Sequence, residues 1–135
     1  MKPGGVIAVA ASGLMQEMQG SFPDHLRLWW EPSLCCLHSA DWWRRQWDRN
    51  GIVEGQLADA MPHGWQAWLE WQRRNYPQNR TEIEAVEADG GRYLGHIRII
   101  GHRRPEVHLD EPIVSIAAQY TKKSLLRFNE PPGQA

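Results

Sequence analysis

Residues Arg92–Arg104 read RYLGHIRIIGHRR, and the pattern of this stretch decides the fold. Tyr93, Ile97 and Ile99 fall on one face of an extended strand, and Leu94 and Ile100 fall on the other. Apolar residues on both faces predict a strand inside a sheet. Two stretches upstream can serve as its neighbours. In KPGGVIAVAAS, Lys2–Ser12, a Pro-Gly-Gly turn feeds the apolar run Val6–Ala11, which reads as a buried central strand. In IVEGQLADAM a second strand, Ile52–Ala60, starts directly after a helix stop.

Helices separate the strands. In HSADWWRRQWDRNG, Ser39 is an N-cap, Asp41 complements the dipole of the first turn, and Asn50-Gly51 stops the helix. The spacing predicts ion pairs Asp41–Arg45 and Arg44–Asp48 on the exposed side, with Trp43 and Trp47 opposite. PHGWQAWLEWQRRN puts Trp65, Trp68 and Leu69 on one face and Trp71 at its edge, and Pro77 ends it. TEIEAVEAD starts with a capping box, Thr81 and Glu84, and Gly90-Gly91 closes it. The glycine- and proline-punctuated stretch between the first strand and His38 reads as a loop with one short helical piece. Three strands and about three helices in α/β alternation are too few for a self-contained doubly wound sheet.

Composition narrows the function classes. At 135 residues the chain has room for one domain, and its net charge of -1 gives no general attraction for nucleic acid or an anionic membrane. No apolar stretch approaches the roughly 20 residues that span a bilayer, and the N-terminus does not match a signal peptide. The only cysteines, Cys35 and Cys36, are adjacent, where a disulfide would be strained; a reduced, cytoplasmic setting is expected. No His or Cys spacing supports a metal site. His63, His96, His102 and His108 share no ligand pattern, and the basic run His102–Arg104 reads as a solvated strand end. The outlying number is eight tryptophans, seven of which have another within three residues.

At a longer range the residues resemble a family. KPGG before an apolar strand, HSADWWRRQWDRNGIVEGQLADAMPHGWQAWLEWQRRN and NRTEIEAVEADGGRYLGHIRIIG look like the C-terminal region of bacterial class I S-adenosylmethionine-dependent methyltransferases. The resemblance covers residues 1–104; residues 105–135 read as a tail, disordered at its NEPPGQA end. It implies a partial Rossmann-like sheet. Val6–Ala11 would be the fifth strand, Ile52–Ala60 the sixth, and Arg92–Arg104 the seventh, returning antiparallel between the other two. The S-adenosylmethionine site of such enzymes needs a Gly-rich strand-turn-helix and an acidic residue after the next strand. This chain has neither, since its other glycine cluster, ADGGRYLG, precedes a strand. No cofactor is therefore expected to bind the chain alone, and no transferase activity is expected of it.

Most of the tryptophans are expected to fill the core. Trp29 and Trp30 lie in the loop after a strand's carboxyl end, where α/β folds place ligands, and are candidate substrate-binding residues. His38, just ahead of a helix N-cap at the same end, joins them and is the candidate base, since an imidazole near neutral pKa can take a nucleophile's proton. The bland alternative for His38 is a ring hydrogen-bonded to the loop, and His25 has a lesser claim. The expected partner is a small-molecule substrate, with two alternatives of other classes. One is a Trp-rich module binding sugars or lipids. The other is an interaction subunit whose exposed sheet edge joins a chain carrying the N-terminal half of the domain, or a second copy.

Overall fold

The computed structural model describes residues 1–108. Strand β1 (Val6–Leu14) is followed by a loop with two short 3-10 turns, Asp24–Leu26 and Pro32–Cys36. Helix α1 (Ala40–Arg49), strand β2 (Val53–Ala60), helices α2 (Gly64–Asn75) and α3 (Arg80–Asp89), and strand β3 (Leu94–Arg103) complete the order. The result is a mixed α/β fold with three strands in the order β1-β3-β2. β3 pairs antiparallel with both neighbours, from Val6↔His102 to Leu14↔Leu94 on one side and from Val53↔Arg103 to Ala60↔Ile97 on the other. A bulge between Gly55 and Leu57 interrupts the second ladder.

The two-faced pattern of β3 is what places it inside. Ile97 and Ile99 face α1 and pack with Ala40, Trp43, Trp47 and Ala58. Leu94 faces the other way, into a core of Leu14, Leu26, Trp68, Leu69, Ala85 and Val86. Leu26, Leu94 and Val86 are the largest side chains fully out of solvent, each contributing roughly 1.5–3 kcal/mol. Tyr93 precedes the strand and joins Leu94's cluster, so it does not share a face with Ile97 as the alternation predicts.

β1 departs most from expectation. It is an edge strand whose first six residues are exposed or half-buried, with Val6 60% and Val9 42% accessible. The physical reason is placement of the helices: α1 packs over β2 and β3, and α2 packs on β3 and α3, so β1 is covered on neither face along most of its length. Only Gly13 and Leu14, at its carboxyl end, are buried.

Local signals mostly hold. The Ser39 side chain accepts from the Trp42 N–H at 3.3 Å, and Gly51 adopts φ +71° just past the C-cap of α1. Arg44 pairs with Asp41 at 4.0 Å, because Asp48 turns instead to the backbone N–H of Gly55 at 3.1 Å. The cap of α3 is Asn79 and not Thr81: the helix starts at Arg80, and the Asn79 side-chain amide donates to Glu82 at 2.8 Å. Trp71 faces outward at 52% exposure, since the buried face of α2 runs through Trp68, Leu69 and Gln72. Among the described residues no helix is long and apolar enough to cross a membrane. Of the expected tail, residues 105–135, the part from 109 onward lies outside the described residues.

Candidate functional site

Two open cavities of about 390 and 480 Å³ adjoin between the carboxyl half of β1, α2 and the start of α3, within the usual size range of small-ligand pockets. They share Ser12, Trp68 and Glu82. The first is further lined by Trp29, Glu31, Leu34, Leu37, Asn79 and Thr81; the second by Ala67, Trp71, Gln72 and His96.

The walls follow from local structure. Leu26, fully buried at the end of a 3-10 turn, anchors the loop, and the Trp29 N–H donates to its carbonyl at 3.2 Å. Trp29 then meets Trp68 edge-to-face, with ring centroids 5.8 Å apart. Trp68 sits on the buried face of α2, and its indole N–H donates to Glu82 Oε1 at 2.8 Å. The Gln72 amide donates to the same oxygen at 2.5 Å, so one carboxylate gathers donors from α2 and from the cap of α3.

A second cluster lies beside the end of β1. The Leu14 N–H donates to the His38 carbonyl at 3.0 Å, which seats residues 38–39 against the outer edge of the strand. His38 Nδ1 is 3.1 Å from Glu17 Oε2, and the Ser39 N–H donates to Glu17 Oε1 at 2.7 Å. Burial pushes the Glu17 carboxyl up, but the hydrogen bonds from Ser39 and His38 and the charge of His38 outweigh it. The net effect holds Glu17 below its ordinary value. A carboxylate can only accept, so Nδ1 donates and the lone pair of a neutral ring falls on Nε2, the tautomer a general base requires. Trp42 stacks on the imidazole at 3.7 Å and 7° and holds its plane.

The three sequence-predicted residues thus separate. Trp29 lines the cleft. Trp30 packs edge-on against Phe22, 5.0 Å between centroids, and lines neither cavity. His38 also lines neither, although the residue before it, Leu37, lines the first. His25 holds Asp89 at 2.8 Å, and the other oxygen of this fully buried carboxylate accepts from the Tyr93 and Leu94 N–H groups. That arrangement clamps α3 to β3.

Sequence reasoning missed Glu17, Gln72 and Glu82. Gln72 carried a signal: it lies four residues after Trp68, a polar side chain on the buried face of an amphipathic helix. Glu82 carried one too, three residues after Asn79. Glu17 had none, because it meets His38 across 21 residues of irregular loop.

A cradle for S-adenosylmethionine needs backbone that a ligand can approach, and the packed glycines do not offer it. A Cβ on Gly13 would meet Ile97 at 2.8 Å and the His38 carbonyl at 3.0 Å, one on Gly95 would meet Met15, and one on Gly101 would meet Val53. These close approaches are filled by the chain's own atoms. Of the positive-φ glycines, Gly4 precedes a strand, Gly20 lies in the loop after β1, and Gly51, Gly90 and Gly91 follow helices. Among the described residues there is also no group of three His, Cys, Asp or Glu side chains that could hold a metal ion. No family model, curated protein or solved structure matches the chain.

Proposed function

We propose that this chain is the C-terminal, substrate-side portion of a class I S-adenosylmethionine-dependent methyltransferase domain acting on a small molecule. In this reading β1, β2 and β3 take the places of the fifth, sixth and seventh strands. The supporting observation is the sheet itself: the last strand runs antiparallel between two earlier strands that are parallel to each other, and the first of these has an outer edge left open up to Leu14, where His38 and Ser39 meet it. The antiparallel alternation turns the backbone groups of Val6, Ala8, Ala10 and Ser12 outward, and the exposure of β1 on both faces suits a strand meant to lie inside a wider sheet. Further strands, from the same polypeptide or a separate chain, would pair there and bring the cofactor.

This portion contributes binding and orientation. The aromatic cleft holds the acceptor, and the Glu17–His38 pair stands at the end of β1 as an acid-base arrangement beside it. Calorimetric titration of S-adenosylmethionine into the full chain is expected to give no saturable heat. Saturable binding would refute the assignment of the cofactor site to other strands. The reading frame upstream of Met1 tests the family itself: a Gly-rich strand-turn-helix in frame supports it, and an unrelated sequence counts against it.

The platform of stacked indoles draws less support. Of the eight tryptophans only Trp71 is exposed, and the others are buried or half-buried against the two cores or one another.

A further inference from the structure

We infer that the cleft between β1, α2 and α3 binds a small amine carrying a flat hydrophobic ring. The charge of the lining comes first. Glu31 and Glu82 are its ionisable acids, and among the described residues no Lys or Arg lines either cavity. His96, 5.9 Å from Trp68 between ring centroids, is the histidine of the lining. Carboxylate and phosphate ligands would meet two carboxylates and no fixed counter-charge, whereas an ammonium meets attraction.

The aromatic walls add to this. Trp29, Trp68 and Trp71 surround the shared centre, and indole faces are the best of the side chains at attracting a cation. The exposed Trp71, 5.2 Å from the Tyr76 ring, also offers a surface on which a flat ring can lie.

Hydrogen-bond capacity points the same way and is independent of charge. Glu82 accepts from Trp68, Gln72 and Asn79, which leaves about one of its roughly four acceptor positions open. Gln72 lines the second cavity and is 6% exposed, and its amide oxygen has no partner. Its orientation is fixed, because Glu82 can only accept and so must face the amide nitrogen. The oxygen is buried without a partner among the described residues, on a side chain that lines the second cavity. Two unspent acceptors, Gln72 Oε1 and Glu82, call for a ligand with at least two N–H donors, which a protonated primary amine supplies. Taken with the proposed function, this names the acceptor as an amine; the binding claim itself needs no cofactor.

The test is titration of the full chain with 2-phenylethylamine, 3-phenylpropionate and 2-phenylethanol, read by the Trp68 indole N–H resonance and by tryptophan fluorescence. The amine is expected to saturate and to bind about tenfold more tightly than the carboxylate. Glu82→Gln should erase that preference. Because Glu82 also ties α2 to α3, Glu31→Gln and Trp71→Ala, both at exposed positions, are measured beside it; each should weaken the amine without changing the fold. Absence of saturation by the amine, equal or tighter binding of the carboxylate, or amine binding untouched by Glu31→Gln and Trp71→Ala would overturn the inference. S-adenosylmethionine is left out, so a failure here is distinct from a failure of the methyltransferase reading.

Discussion

Glu17 shows how a single side chain acquires a role. It stands in a loop, yet it caps the Ser39 N–H and orients the His38 ring, and these bonds hold its carboxyl below its ordinary value against the opposing effect of burial. A depressed carboxylate contributes stability that is present above its unfolded-state pKa and lost as pH falls through the folded one. Stability is therefore expected to drop in acid, below the ordinary carboxylate range, and Glu17→Gln should flatten part of that drop while costing about 1 kcal/mol at neutral pH. Urea denaturation of both proteins at a series of pH values checks this; parallel acid limbs would count against it. Asp59 titrates in the same direction, lowered by its hydrogen bonds with Arg98 at 2.6 and 2.8 Å, so the wild-type limb carries both groups.

Among the elements, the helices were the more legible. Ser39 announced the start of α1 and Gly51 its end, because capping is a contest between a side chain and the backbone groups within one turn of it. For α3 the sequence pointed to Thr81 and the structure uses Asn79, since Tyr76 and Gln78 first turn the chain and bring Asn79 to the helix start. The seating of α2 was not legible at all. Gly64 lies so close to β3 that a Cβ there would stand 2.6 Å from the His96 backbone nitrogen. Gly64→Ala must push α2 off the strand and is expected to cost about 1–3 kcal/mol. An unchanged urea midpoint would show that α2 is free to shift. Because Trp68 rides on α2, the same substitution should move its indole resonance.

For the whole molecule the open flank of β1 is decisive. Its outward backbone groups lie in a strand with no charged side chain between Val6 and Leu14, and such an edge pairs with whatever strand it meets. The isolated chain is expected to self-associate as its concentration rises. Ala8→Pro should suppress this without unfolding, because the Ala8 N–H points away from β3 and proline is tolerated on an edge facing solvent. Sedimentation velocity at rising concentration decides it. A wild-type chain that stays monomeric, or a proline variant that associates equally well, would rule out the edge as the contact.

The type of nearly every element was written in the sequence, since helix and strand follow from hydrophobic period, caps and turn residues within a few positions of one another. The interior place of β3 was written there too, because a strand apolar on both faces can be satisfied only between layers. Tertiary structure alone decided that β1 is left uncovered on both faces, that Glu17 meets His38, and that Trp29, Gln72 and Glu82 converge on one cleft. These depend on which surfaces α1 and α2 cover, and that is settled by packing between residues far apart in the chain, where local pattern carries no information about partners.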